Sequence, residues 1–425
     1  MLQSQAETSL SPAPTQQSPG RAASISLRIV GACLVAMTTA VHYTDYGPLI
    51  PVMLKDLHIA ASQAGLMSTL LFIGLAITYL PGGILVDRYG QRPVLLGSLL
   101  LMTLSGVLLP LWPNIYWILA CRALIGFGVG AAFIAGAGVV AGVEKHAALA
   151  QGLYGGSVQV GSGLGLLATP LLAAHLGWQG AFLFWGLTGL LALLAWLFVR
   201  DGWVAPREKK IDVVAGLRSP AVWSLGLSHM GTFGVGNTIA AWISVYLVHQ
   251  YGISLGLAAT FGACGLISGA FIRPLGGVLI GRGSIGAIPL LRVGITLAAL
   301  GVALLALPLR LPVLAVLGMT SIAIGATLPY TSVFDSAAQL RTVSKGVAQG
   351  LLSVIACPAL LWGPPLIGFL YQLTGNFSLP FGSVLFFSAI ALNASILAGP
   401  AFKHERRLPA SQARAQDEQE DLQHE

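Results

Sequence analysis

The sequence predicts an all-α membrane protein with twelve transmembrane helices in two pseudo-symmetric six-helix bundles. Three observations lead to this prediction: a very apolar composition, apolar runs of membrane-spanning length, and short motifs that recur about 195 residues apart. Only 9% of the 425 residues are charged and 55% are hydrophobic, whereas a soluble domain is typically about 25% charged. A surface with so few charges is suited to lipid rather than to water.

Apolar runs of about 20 residues, the length needed to cross a hydrocarbon core about 30 Å thick, recur along almost the whole chain. The chain also contains 53 glycines, and small residues let the backbones of membrane helices approach closely. The predicted helices cover residues 28–53, 62–86, 93–111, 114–140, 147–173, 178–199, 219–248, 255–281, 285–308, 311–337, 344–371 and 379–402.

These helices divide into two halves joined by a polar stretch. We expect a disordered cytoplasmic tail at 1–27, an N-terminal bundle at 28–200, a cytoplasmic linker at 201–218, a C-terminal bundle at 219–402 and a disordered cytoplasmic tail at 403–425. Both tails have the polar composition that is typical of disorder. Residues 1–27 lack a basic region followed by an apolar core and a cleavage site, so we interpret them as a tail and not as a signal peptide.

The two halves repeat each other in two places. GGILVDRYG (82–90) at the end of the second predicted helix matches GGVLIGRG (276–283) at the end of the eighth. AQGL (150–153) opens the fifth helix, and AQGL (348–351) lies near the start of the eleventh. Parallel six-helix repeats are typical of secondary transporters, which bind their solute between the halves near mid-membrane.

The positions of the basic residues predict the orientation. One set of breaks carries Arg88, Arg92, Lys145, Arg282, Arg341, Lys345 and the basic residues of 200–218. The opposite loops contain only Lys55 and Arg310 as Lys or Arg. Positive residues stay on the cytoplasmic side, so we expect both termini in the cytoplasm and a multi-pass protein of a bacterial inner membrane. The net charge of +7 then reflects topology, and we expect no nucleic-acid partner.

Neither a metal site nor an enzyme is expected. The four cysteines lie in apolar segments with unrelated spacings, which fit neither a disulfide framework nor a zinc site. They are Cys33, Cys121, Cys264 and Cys357. The sequence shows no metal-spaced cluster of His, Cys or acidic residues and no loop large enough for a catalytic domain. We therefore expect no cofactor.

Several separate motifs resemble those of the major facilitator superfamily. GILVDRYGQR (83–92) follows the family's loop motif after the second helix, and RALIGFGVG (122–130) follows its fourth-helix motif of an arginine with spaced glycines. PLIP (48–51) and SQAG (62–65) are also in keeping with the family. The resemblance covers the chain except for its tails, and it implies a twelve-helix transporter that acts as a monomer in the lipid bilayer.

The loop motif supplies candidate gating residues. Gly83 and Gly90 allow a tight helix exit and close approach of backbones. Asp87 carries a negative charge that the positive N-terminus of a helix would hold. By the family resemblance, that helix is the eleventh, near Ser344, and the contact latches the cytoplasmic side.

The remaining charges of the motif have two interpretations. Arg92 is positioned to pair with Glu144 at the end of the fourth helix, which would add to the latch. Alternatively, Arg88 and Arg92 only anchor the topology. The second copy of the motif has Gly281 in place of the aspartate, so a symmetric latch is not expected.

Arg273 lies inside an apolar helix, where a charge at the centre costs about 2.5–3.5 kcal/mol. It is about eight residues from the helix end, or roughly 12 Å, which is too deep for its charge to reach the interface. We expect it to face the central cavity, opposite Tyr79, its counterpart in the repeat. The alternative is a structural arginine bonded to carbonyls of a neighbouring helix.

The surroundings of Arg273 resemble the nitrate/nitrite porter branch of the superfamily. RPLGG (273–277) and the glycine-rich fifth helix, GLYGG (152–156) and GSGLG (161–165), carry the resemblance. It implies an anionic solute. Tyr79 stands where that branch carries a second arginine, which leaves one central guanidinium and suits a monovalent anion with planar bidentate oxygens.

The first helix carries polar residues at helical spacing. His42, Asp45, Tyr46 and Leu49 would share one face, which we interpret as a cavity wall. Asp45 is a candidate proton carrier, because desolvation favours the neutral form of a carboxyl group. A permanent ion pair of Asp45 with Arg122 is the alternative, and Arg122 is open to either structural pairing or proton coupling.

Asn237, Trp242 and Tyr330 are candidates to complete the pocket, although single polar residues also join membrane helices. The leading function is a proton-linked transporter that moves a small anionic solute by alternating access. The alternative is a multidrug or metabolite exporter that uses Asp45 and Arg122 and in which Arg273 is structural. An exporter of cationic drugs would not accommodate an unpaired arginine in its cavity.

Overall fold

A computed structural model of the chain describes residues 19–59, 61–143, 147–199, 213–340 and 343–407. All the regular elements within these ranges are helices. Ten of them are long and apolar enough to cross a membrane, and a bent pair makes an eleventh. The main helices are Pro19–Thr44, Ala61–Tyr89, Gln91–Leu108, Ile115–Ala141, Ala147–Phe198, Pro220–His229, Val235–Tyr251, Leu255–Gly281, Ala287–Ala306, Pro312–Thr327, Tyr330–Ala338, Lys345–Ile355, Pro358–Thr374 and Ser378–Arg407.

The helix Ala147–Phe198 is two spans. Its 52 residues would be about 78 Å long if straight, more than twice the thickness of a hydrocarbon core. Gly177 breaks it with φ +70° and ψ 174°, a conformation that favours glycine. Trp185 Nε1 donates a hydrogen bond to Thr169 Oγ1 at 2.8 Å, so the chain folds back at Gly177. The prediction of twelve spans is therefore confirmed, and we number them first to twelfth in chain order.

Prolines interrupt spans that the sequence analysis predicts as continuous. The first span ends at Thr44 and continues, after a turn and the 3-10 helix Gly47–Leu49, as Ile50–Asp56. The residue before a proline is disfavoured in the α conformation, and PLIP (48–51) lies at this break. Pro329 and Pro358 stand at similar breaks in the tenth and eleventh spans. The seventh span contains a π-helical turn, Met230–Gly234, a feature that often marks functional sites.

Helices also extend into segments predicted as tails and linker. The first helix begins at Pro19 and the last ends at Arg407, whereas disordered tails are predicted at 1–27 and 403–425. Val213–Arg218 forms a short helix within the predicted linker 201–218. The bundle boundaries that we assign remain predictions.

The bundle has two ends, which we call the Asp87 end and the Trp112 end after residues that lie there. The Asp87 end carries the connection between the second and third spans at Tyr89–Gln91, and the Trp112 end carries the connection between the third and fourth. The halves meet where the second span packs on the eleventh and the fifth packs on the eighth. Large apolar side chains such as Leu191, Trp362 and Phe386 are more than 60% exposed on the outside, as expected for a surface that contacts lipid.

Candidate functional site

Arg273 is buried between the halves, and its neighbours compensate only part of its positive charge. Its Nη1 donates to the carbonyl oxygen of Gly155 at 2.6 Å, and its guanidinium carbon lies 4.4 Å from the centre of the Tyr330 ring. Its Nε is buried without a hydrogen-bond partner. The ion pairs among the described residues involve Asp45 and not Arg273. The side chain therefore presents a positive charge for which the described part of the chain supplies no carboxylate.

A narrow cavity lies at the Arg273 guanidinium, with room for about one water molecule. Both halves line it. The lining residues are Tyr43, Tyr79, Phe133, Val158, Gln159 and Ser162 from the N-terminal half and His229, Phe233, Asn237, Arg273, Tyr330, Phe334 and Ser353 from the C-terminal half. Tyr330 Oη is buried there without a hydrogen-bond partner. Polar groups thus converge on one point between the halves.

A second, wider cavity shares Gln159, Phe233, Asn237 and Arg273 with the first. Its space for water-sized groups is about 80 Å³, compared with about 10 Å³ for the first cavity. Its walls come mainly from the seventh, eighth and tenth spans and continue from Arg273 towards the Trp112 end. Access to Arg273 is therefore widest from that end.

The backbones of the two halves are in contact on the Asp87 side of Arg273. A Cβ atom added at Gly152 would lie 2.8 Å from the Arg273 carbonyl oxygen, and one added at Gly350 would lie 2.6 Å from that of Tyr79. Closer to the Asp87 end, Gly83 and Gly346 pack directly against each other. Only glycine fits at such positions, because a Cβ atom would overlap the facing backbone. The site is closed towards the Asp87 end.

Asp87 joins the second span to the start of the eleventh. Its carboxylate accepts hydrogen bonds from the Ser344 hydroxyl, from the Gly346 backbone N–H at 3.1 Å and from that of Val347 at 3.0 Å. Ser344 is the N-cap residue of Lys345–Ile355, and the N-terminus of a helix attracts negative charge. Asp87 thus makes the contact with the start of the eleventh span that the family resemblance implies.

The other residues of the loop motif have local partners. Gly90 links the second and third spans with φ +84°. The guanidinium carbon of Arg88 lies 5.4 Å from the centre of the Tyr89 ring. Arg92 Nη2 donates to the carbonyl oxygen of Leu197 at 3.2 Å. Glu144 lies outside the described residues, so its pairing with Arg92 remains a prediction.

Arg122 forms a closed cluster near the Trp112 end of the N-terminal half. Its Nη1 donates to Asp45 Oδ1 at 2.8 Å, its Nη2 to the His42 carbonyl oxygen at 2.9 Å and its Nε to the Met67 carbonyl oxygen at 3.3 Å. His42 Nδ1 lies 2.9 Å from Asp45 Oδ2. The Tyr46 ring centre lies 5.1 Å from the Arg122 guanidinium carbon. Asp45 and Arg122 are completely buried, so they form a buried ion pair in this conformation.

The structure places the residues predicted to bind the solute at three locations. Tyr79, Asn237 and Tyr330 line the narrow cavity with Arg273. His42, Asp45 and Tyr46 do lie together as expected, but they face Arg122 and not the narrow cavity.

Trp242 also lies away from the narrow cavity. Its Nε1 donates to the Pro364 carbonyl oxygen at 3.0 Å and so joins the seventh and eleventh spans, the alternative role for single polar residues in membrane helices.

Sequence reasoning missed Tyr43, Gln159 and His229 in the cavity wall. His229 stands out as a polar residue in an apolar run and is a signal that was available. Tyr43 was hidden by its neighbour, since the predicted face was centred on His42. Gln159 lies among the glycines of the fifth span, whose spacing indicates helix packing rather than a binding site.

The family model of the Major Facilitator Superfamily matches residues 29–359. The chain belongs to the major facilitator superfamily. The nitrite extrusion protein of Bacillus subtilis is 24% identical over 365 residues, which are 82% of this chain and 87% of that protein. The 2-nitroimidazole transporter of Escherichia coli is 26% identical over 392 residues, which are 87% of this chain and 95% of that protein.

Among solved structures, the proton:xylose symporter XylE superposes with a TM-score of 0.73 at 15% identity, over 88% of this chain and 95% of that chain. At this identity the likeness shows the fold alone. The resemblance seen in the motifs is confirmed by the family match. The protein is a multi-pass membrane transporter of this superfamily and not an enzyme.

Proposed function

We propose that this transporter moves a small anionic solute and that Arg273 binds the negative charge of that solute near mid-membrane. The observation that carries the proposal is the buried guanidinium with an unpartnered Nε in a cavity between the halves. An unpaired buried charge is strongly destabilising, and a bound anion would supply the missing charge. The planar guanidinium fork matches two oxygens of a planar anion.

The relatives support an anion. The relative from Bacillus subtilis is named for the extrusion of nitrite, which is a monovalent planar oxyanion. Tyr79 faces the same cavity as Arg273 and adds no second positive charge, in keeping with a solute that carries a single negative charge.

Transport in this proposal proceeds by alternating access. The basic residues Arg88, Arg92, Arg282 and Lys345 lie at the Asp87 end, which the positive-inside rule assigns to the cytoplasm of a bacterial inner membrane. The site is closed towards that end, so the conformation is outward-facing. Opening to the cytoplasm requires that Asp87 release Ser344 and the start of the eleventh span, and Asp87 is then the residue that holds the gate.

We also propose that protons drive transport through the cluster of His42, Asp45 and Arg122. Protonation of Asp45 would remove the charge that holds Arg122 and so weaken the contact between the first and fourth spans. The cluster is buried in this conformation, so proton exchange would need the other conformation.

Substitution of Arg273 tests the proposal. Arg273→Ala should abolish uptake of labelled nitrite, the probe, by proteoliposomes, while expression and membrane insertion stay normal. Arg292→Ala is the matched control, because Arg292 also lies in a span and donates only to carbonyl oxygens, those of Ser395 and Ile396. Normal nitrite uptake by Arg273→Ala, or failure of that variant to insert, would refute the role of Arg273 as an anion site.

A second candidate function is the export of small metabolites or drugs. The relative named 2-nitroimidazole transporter favours it, and the hydrogen bond from Arg273 to Gly155 permits a structural role for the arginine. Transport of 2-nitroimidazole, but not of nitrite, by both the wild type and Arg273→Ala would favour this function over the first.

A further inference from the structure

The second cavity changes in polarity along its length. Its polar lining, Gln159, Thr232, Asn237, Arg273 and Thr327, lies at the end that it shares with the narrow cavity. Towards the Trp112 end the large side chains in its wall are Ile239, Ile243, Phe261, Met319 and Ile322. The cavity therefore joins one charged end to an apolar chamber.

The apolar chamber is long and is kept open by small residues. From Thr327 to Met319 the tenth span covers about 12 Å, at 1.5 Å per residue. Gly262 and Gly265 of the eighth span and Ala323 of the tenth also line this part, so small residues leave space between its larger side chains. The resulting space is suited to a flat or narrow apolar group.

An inorganic oxyanion would use only the Arg273 end of this space. Apolar walls replace none of the hydrogen bonds that a small hydrated ion makes in water, so the chamber offers such an ion no binding energy. An apolar group attached to the anion would instead leave water and gain about 0.8 kcal/mol for each buried methylene.

We propose that the solute is an amphipathic organic anion, with a planar carboxylate at Arg273 and an apolar body in the chamber between the seventh, eighth and tenth spans. This inference rests on the proposed function, since it needs Arg273 as the anion site. It assigns the apolar chamber as the part of the protein that selects the solute.

A series of straight-chain carboxylates from formate to hexanoate tests the inference by direct binding to the purified full-length protein. Affinity should rise about fourfold for each added methylene that the chamber buries. The 1-alkanols of equal length control for unspecific partition, and they should bind far more weakly because they lack the charge. Equal affinity along the carboxylate series would overturn the chamber as a binding site.

Two phenylalanine substitutions on the tenth span sharpen the test. Ala323→Phe fills the chamber and should lower the ratio of hexanoate to formate affinity by about tenfold. Val316→Phe is the matched control, because Val316 is 62% exposed on the outside of the same helix, and it should leave the ratio unchanged. Ala240→Phe fills the chamber from the seventh span and replaces Ala323→Phe in the test if that variant does not fold.

The outcomes separate this inference from the proposed function. Suppose that formate and nitrite bind, that Arg273→Ala abolishes their binding, and that the chamber variants leave the ratio of hexanoate to formate affinity unchanged. The anion site would then stand, and the apolar body of the solute would be refuted. If Arg273→Ala binds every carboxylate as well as the wild type does, the proposed function itself fails.

Discussion

Arg122 and Arg273 are the two buried arginines in the part of the chain that the structure describes, and their surroundings differ. In the N-terminal half, Arg122 donates to a carboxylate and two carbonyl oxygens. In the C-terminal half, Arg273 donates to one carbonyl oxygen and leaves its Nε without a partner. Burial alone therefore does not distinguish a structural arginine from a ligand site. The distinction comes from how much of the charge the protein itself compensates.

In the proposed mechanism the two halves have different tasks. The N-terminal half would supply an ion pair that protonation of Asp45 breaks, and the C-terminal half would supply a cation that binds the solute. Coupling would then pass between two sites on opposite sides of one interface, and each arginine can be removed separately to test its own task.

Removal of Arg122 should have the largest effect on stability. Arg122→Ala leaves Asp45 buried without its cation, and breaking a buried ion pair in this way costs about 3–5 kcal/mol. We expect little folded protein in the membrane and a large drop in the unfolding temperature in detergent. Arg273→Ala should show no such drop. Equal stability of the two variants would remove the difference on which the comparison depends.

Asp45→Asn should separate coupling from movement of the solute. The asparagine keeps a hydrogen-bond acceptor for Arg122 but has no group to protonate, so accumulation driven by a proton gradient should be lost. Exchange of labelled for unlabelled solute should continue. Accumulation that persists in a well-inserted Asp45→Asn variant would show that Asp45 has a structural role only.

The spans and their packing follow from apolar length and from glycine, both of which can be read in one sequence. The breaks near Pro48, Pro329 and Pro358 were not predicted because the residues on both sides of each keep the same apolar pattern as a continuous span. Helical spacing groups His42, Asp45 and Tyr46 correctly, but it does not show that this group faces Arg122 rather than the central cavity.

Arg273 and Tyr330 could be named as candidates because a charged residue or a single polar residue is conspicuous in a predicted membrane helix. The apolar chamber could not be predicted. Its walls are apolar and small residues of the same types that pack helices or face lipid, and only the three-dimensional arrangement shows which of them border empty space.

The latch offers a comparison between the two copies of one motif, since Asp87 has Gly281 as its counterpart. Asp87→Asn keeps the shape of the side chain but removes the charge that accepts hydrogen bonds from Gly346 and Val347. Hydrogen bonds to charged groups contribute about 1.5–3 kcal/mol, so we expect roughly a tenfold change in the closed population and a matching loss of transport rate. Gly281→Asp is the control and should have no such effect. Unchanged uptake by Asp87→Asn would reduce the motif to a topological anchor.

Exchange of arginine for lysine should have the smallest effect on affinity and stability, and it compares the two arginines most directly. Lysine keeps the charge but loses the planar fork that donates in several fixed directions. At position 273 Nη1 is bound to Gly155 but Nε has no partner, so an outside anion can accept from Nε, and Arg273→Lys should lose one hydrogen bond of about 1 kcal/mol. The apparent affinity for the anion should fall about fivefold, while the unfolding temperature stays the same. At position 122 the fork is occupied by Asp45, His42 and Met67, so Arg122→Lys should instead lower stability and leave the affinity nearly unchanged. Titration of nitrite binding and thermal unfolding of both variants would measure the two effects side by side. If both lysine variants lose affinity, or both lose stability, the two arginines do not have the different tasks that their partners indicate.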